Sequence, residues 1–152
     1  MERFDRANTA AEVYQAGLNL VLDRLKPERA LIFYGYDEKD QLSAQVGHNL
    51  DPRTVLDMGD VSLGILQDAM EAGEAKMLVD AMQDPRFGER TSAVLSGIRS
   101  VLSCPIRGDS GDIEGLIYLD SRIQVAAFKQ ADLPWLNELA QAMQTRLTAV
   151  NA

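Results

Sequence analysis

The residues able to carry covalent or metal chemistry are few and far apart. The chain holds one cysteine, Cys104, and one histidine, His48. A single thiol cannot form an intrachain disulfide, and one Cys with one His cannot assemble a zinc site of the usual ligand set, so metal residues are assigned as none. The run Asp84-Pro-Arg-Phe87 gathers charge, yet no nucleophile with an adjacent base accompanies it at a useful spacing. Its expected work is structural, with Phe87 plugging the core and Arg86 capping a loop. Gly108 and Gly111 fall between two strand-like runs rather than between a strand and a helix, which excludes a phosphate cradle there. Catalytic residues are therefore also assigned as none, and the chemistry left to the chain is binding.

Composition narrows the binding partners. Fifteen Lys and Arg against 23 Asp and Glu give a net charge of −8, with the basic residues scattered along the chain. Nucleic acid and anionic membrane surfaces are repelled at long range by such a field, so neither is an expected partner. Apolar residues make up 46% and charged residues 25%, a globular balance. No apolar run reaches the ~18 residues of a spanning helix, and Met1–Asp5 lacks the basic-then-apolar order of a signal peptide. With its lone thiol, the chain is expected to be cytoplasmic.

The elements that must position any site can be read from periodicity. Phe4 to Leu25 carries Tyr14, Leu18, Val21, Leu22 and Leu25 at helical spacing and ends at Pro27. Ala30–Tyr36 and Gln41–Gly47 form a predicted hairpin about the polar turn Asp37–Asp40. The first strand is apolar on both sides and needs two covers, whereas the second alternates and belongs nearer an edge. Ser62 to Ala72 is helical and Gly73 terminates it. Met77–Val79 is a short strand, Ser92 to Gly97 a short helix, and Ile98–Arg107 with Ile113–Asp120 a second hairpin. Lys129 to Val150 places Leu136, Leu139, Met143, Leu147 and Val150 in a heptad-like seam. No repeat or linker divides the chain, so residues 1–152 read as one domain, expected to be excised from a longer signalling protein.

Five runs in this order resemble the GAF family of small-molecule sensor and regulatory domains: Gly73 through Asp80-Ala81, Asp84-Pro-Arg-Phe87, Gly97 to Ile106, Gly115 to Arg122, and Phe128 to Leu133. The resemblance implies an α+β fold. Its central antiparallel sheet has about six strands, with the N- and C-terminal helices on one face and a pocket helix plus lid segment on the other. It also implies a ligand-binding set: Ile32, His48, Ile65, Leu66, Thr91, Ser92, Ile98 and Tyr118. Relatives that bind cyclic nucleotides carry an Asn-Lys pair, a Phe and an Asp-Glu pair. Here Ser121-Arg122, Phe128 and Asp132-Leu133 stand in those places, which weakens that ligand class and leaves Arg122 free to pair with Asp132. Bilin-binding relatives need a Cys followed by His, but Pro105 follows Cys104.

The expected function is a non-catalytic sensory domain that binds a small-molecule effector and signals through its terminal helices. No cofactor is identified. Leu18, Val21 and Leu25 on the first helix offer a second stripe, of the kind the resembled family uses for parallel dimer bundles, so the resemblance implies a homodimer through the terminal helices. The alternative is a structural dimerisation module with a collapsed pocket. A third reading is an enzyme like free methionine sulfoxide reductase, whose cycle needs a resolving thiol that one Cys cannot supply.

Overall fold

The computed structural model describes residues 2–84 and 97–151. After a 3-10 turn, Glu2–Arg6, come helix α1 (Ala10–Leu25), strands β1 (Arg29–Tyr36) and β2 (Leu42–His48), helix α2 (Leu63–Ala72), strands β3 (Lys76–Leu78), β4 (Ser100–Arg107) and β5 (Ile113–Ser121), and helix α3 (Asp132–Asn151). Among the described residues the sheet has five strands in the order β2-β1-β5-β4-β3, not about six, and every pairing is antiparallel. The stretch that follows β2 turns instead of extending. Val55 N–H bonds to the Asp51 carbonyl at 3.0 Å and Met58 N–H to that of Thr54 at 2.9 Å, a helical pattern that removes those groups from any ladder.

The predicted first helix divides in two for a local reason. Thr9 adopts an extended backbone and its hydroxyl accepts the Glu12 N–H at 3.2 Å, while the Glu12 carboxylate accepts the Asn8 N–H at 3.4 Å. This Thr9 cap, with the Glu12 carboxylate reaching back to the residue before it, starts α1 at Ala10. The residues before it fold back, burying Phe4 to 3% exposure, and Arg146 Nε holds the Ala7 carbonyl at 2.8 Å. At the far end Lys26 takes a left-handed conformation and Pro27 prevents continuation. The expected short helix from Ser92 lies outside the described residues.

Strand alternation separates the core into layers. Ala30 and Ile32 of β1, Leu102, Cys104 and Ile106 of β4, and Ile117 and Leu119 of β5 face α1 and α3. Leu31 and Phe33 of β1, Val101 of β4, and Leu116 and Tyr118 of β5 face α2. The period of two accounts for this division. As expected, β1 is covered on both faces and β2 lies at an edge.

The heptad-like seam of α3 is committed to this fold: Leu136, Leu139 and Met143 are fully buried and Leu147 is 1% exposed. Leu18 and Val21 of α1 are buried in the same cluster. The stripes read as a dimer surface are thus the faces that cover the sheet. Gly17 lets the two helices meet, because a Cβ there would lie 2.7 Å from Met143 Sδ. Leu139→Ala is expected to cost about 2–5 kcal/mol, read as a lower urea midpoint. A loss under about 1 kcal/mol would show that α3 is not a core element.

Candidate functional site

The α2 side of the sheet holds an ion pair deep inside the molecule. Register places Arg29 of β1 opposite Asp120 of β5. The guanidinium donates twice, Nε to Oδ1 at 2.7 Å and Nη2 to Oδ2 at 2.6 Å. Arg29 is 2% exposed and Asp120 fully buried. Tyr118, also fully buried, donates its hydroxyl to the same Oδ2 at 2.5 Å. Burial, reinforced by the Asp120 charge and hydrogen bond, pushes the Tyr118 phenol well above its ordinary value, so it remains a donor. Burial alone would lower the Arg29 pKa, but the Asp120 hydrogen bond and charge outweigh it and raise it.

A second pair joins Asp80, just after β3, to Arg99, just before β4. Arg99 Nε and Nη2 donate to Asp80 Oδ1 and Oδ2 at 3.0 and 2.8 Å, and Ala81 N–H bonds to the Arg99 carbonyl at 2.5 Å. These contacts bring the Asp80-Ala81 run against the Gly97–Arg99 run and seat Ala81 and Ile98 in the core facing α2.

Beside this core an open groove of about 470 Å³ runs between α2 and the β1–β2 turn. Its wall is apolar: Phe33, Leu42, Leu56, Leu63, Leu66 and Met70. Tyr36, Asp40, Gln41, Gln67 and Glu71 supply the polar atoms. Ser62 caps α2 by accepting the Ile65 N–H at 3.3 Å, and Gly73 closes it in the left-handed region. The helix thereby holds Leu63, Leu66, Gln67 and Met70 along one stripe.

Of the predicted site residues, Ile65, Leu66, Ile98 and Tyr118 come together in the core beneath α2, and Leu66 also lines the groove. Ile32 lies on the other side of the sheet among the terminal helices. His48 is paired with Ala30 and shares the face of that partner, so the register separates it from Tyr118. Its Nε2 lies 3.3 Å from Asn49 Nδ2. Thr91 and Ser92 lie outside the described residues, as do Arg86 and Phe87. Sequence reasoning missed Phe33, Tyr36 and Leu63 of the groove. Helical spacing within α2 was the available signal for Leu63, whereas only the hairpin bend carries Tyr36 to the same place.

Two expected chemistries resolve differently. Arg122 does not pair with Asp132: its N–H and guanidinium engage Glu28 at 2.6 and 3.4 Å, while Asp132 accepts the Lys129 N–H at 2.8 Å ahead of α3. The turn that follows β5 sends Arg122 toward the end of α1. Cys104 faces the terminal helices and its Sγ donates to Asn137 Oδ1 at 3.2 Å. Burial pushes its thiol up to about 12, far from a reactive thiolate.

Two predictions follow from these groups. Asp120→Ala leaves Arg29 buried without its counter-ion and is expected to cost about 3–5 kcal/mol, whereas Arg29→Met combined with Asp120→Leu should cost much less than the sum of the single changes. Additive losses in a denaturation cycle would contradict the pairing. For Cys104 the folded thiol keeps its proton to about pH 12, while the unfolded thiol releases it near ~9. Stability from this group is therefore complete below pH 9 and falls as pH rises. Relative to Cys104→Ala, the wild type should lose about 1.4 kcal/mol per pH unit above that point. Parallel pH profiles of the two proteins would show the thiol to be accessible.

The family model for the GAF domain matches residues 9–147. Among solved structures, the GAF domain of a phosphoenolpyruvate-protein phosphotransferase from Coxiella burnetii aligns with a TM-score of 0.75 at 16% identity, covering 99% of this chain and 89% of that one. Residues 122 to 287 of a methyl-accepting chemotaxis protein align at 0.71 and 20% identity, covering 98% and 94%. The free methionine-R-sulfoxide reductase of Neisseria meningitidis aligns at 0.73 and 17% identity, covering 97% and 83%. A search of curated protein sequences returns no significant match.

Proposed function

The chain belongs to the GAF domain family, and from that premise we propose that it is a non-catalytic regulatory domain that binds a small-molecule effector on its α2 side and transmits the change through α1 and α3. The observation that carries this reading is the groove of about 470 Å³, apolar along its wall and polar at its rim, the composition and size of a small-molecule site. Phe33 and Leu66 line it and also belong to the core beneath α2. Ile32, next to Phe33 on β1, and its cross-strand partner Ile117 belong to the terminal-helix layer, so a ligand that tightens α2 against the sheet biases the packing of α1 and α3. The bias requires different affinity for two helix packings. Occurrence of the fold in a chemotaxis protein supports a signalling role.

A second reading, a structural module without a ligand, is favoured by the tight burial of Ile65, Ile98 and Tyr118 at 0–1% exposure, which fills the interior beneath α2. Reductase chemistry is disfavoured by the position and raised pKa of Cys104. Homodimerisation remains part of the proposal and would use the outer faces of α1 and α3, since their inner faces cover the sheet; sedimentation equilibrium reads it directly. A cytoplasmic setting suits the buried free thiol, and no helix among the described residues is long and apolar enough to cross a membrane.

The test is a thermal-shift screen of small metabolites followed by hydrogen exchange. An effector at 100 times its Kd should add about 2.7 kcal/mol of stability and slow exchange in α1 and α3. Leu63 is 48% exposed, so Leu63→Glu should abolish the response while changing basal stability by less than about 0.5 kcal/mol. Binding without altered exchange would remove the signalling step, and silence across the screen would leave the structural reading.

A further inference from the structure

We infer that the α2 groove takes a small amphiphile with an apolar or aromatic body and a cationic amine head, and discriminates against carboxylates and phosphates. The inference rests on the reading of this groove as the effector site and adds the chemical class of the effector. Its charge pattern is one-sided. Asp40 and Glu71 stand at the groove, and among the described residues neither Lys, Arg nor His lines it. Neither carboxylate has an ion-pair or side-chain hydrogen-bond partner among the described residues. The nearby cations are otherwise engaged: Lys76 by Asp68, Arg53 by Asp51, and Arg107 by the carbonyls of Gly73 and Gly111. Lys39, next to Asp40 in the turn, is exposed and does not line the groove.

Each part of the groove suits one part of such a ligand. Leu63, Leu66 and Met70 of α2 face Phe33 and Leu42 of the hairpin across the apolar wall, where an aromatic or aliphatic body loses water-exposed area. Tyr36 is 43% exposed and donates its hydroxyl to the Ile113 carbonyl at 2.9 Å, which fixes the ring with a face open to solvent. An ammonium beside that ring gains from its quadrupole as well as from the carboxylates. The phenol of Tyr36 is held above its ordinary value by burial, then by Glu114, Asp40 and Asp112, in keeping with a negative field at this end of the hairpin. A carboxylate or phosphate head would meet that field with no cation among the described lining residues to receive it, in a chain of net charge −8.

The experiment uses three probes with one body and different heads: phenethylamine, 2-phenylethanol and 3-phenylpropionate, titrated into the whole chain and followed by amide chemical shifts of α2 and the β1–β2 turn. Phenethylamine should bind about tenfold more tightly than 3-phenylpropionate at low salt, with the alcohol between them and the gap narrowing as salt rises. Glu71→Gln and Asp40→Asn together should reduce the preference for amine over alcohol without weakening the alcohol. Equal or tighter binding of 3-phenylpropionate would overturn the amine assignment and leave the groove as a binding site. Failure of all three probes to shift Leu63, Leu66 or Met70 at saturating concentration would instead overturn the groove reading itself.

Discussion

The central strands bury side chains on both faces, and most of the architecture follows from covering them twice. Ala30, Leu31 and Phe33 of β1 are completely inaccessible and Ile32 is at 1%, and the same two-sided burial holds for Leu116 to Leu119 of β5. An antiparallel strand of this kind cannot face water on either side. One cover comes from α1 and α3, which approach through Gly17 and Met143. The other comes from α2 together with Val55, Val61 and Ile98. The weakest points of this arrangement are its edges, where β2 is only half-buried and β3 has three residues.

Within that constraint the two layers differ in character. The terminal-helix layer is almost wholly apolar, and its one thiol is protonated and hydrogen-bonded. The α2 layer contains Arg29, Asp120 and Tyr118 at its floor. A buried pair of this kind is strongly directional and intolerant of losing one member, and it joins residues that the register of β1 against β5 sets opposite each other. The thiol and the groove thus lie on opposite sides of the sheet.

Coupling between the two layers needs no separate device. Neighbouring residues of one strand, Ile32 and Phe33, belong to different layers. Under the proposed mechanism, a ligand that displaced β1 at Phe33 would also move Ile32 against the terminal helices, because close-packed interiors transmit strain. The bonds from Ser100 to the Gln124 carbonyl at 2.6 Å and from the Ala127 N–H to Ser100 at 3.1 Å tie the chain that leads into α3 to the start of β4. The helix that carries the C-terminal half of the outer layer is therefore anchored to the sheet at its entrance.

Local periodicity and turn chemistry determined the order of elements, the two covers needed by β1, the edge position of β2 and the termination of α2 at Gly73. The break at Thr9 was legible too, in the Thr-Ala-Ala-Glu spacing, though the apolar stripe from Phe4 obscured it. Family resemblance placed Ile65, Leu66, Ile98 and Tyr118 on one side of the sheet. Tertiary structure alone separated Ile32 and His48 from them, because facing in a sheet depends on register and bulges, and β1 and β2 are offset by two irregularities. It alone joined Arg29 to Asp120 across 91 positions and sent Arg122 to Glu28 instead of Asp132. It also turned the α3 seam inward, since an apolar stripe has the same spacing whether it meets its own sheet or a second copy. The groove belongs to the same class of fact. Its charge is carried by a turn and a helix that lie far apart in sequence, and only the packing of α2 on the hairpin makes them neighbours.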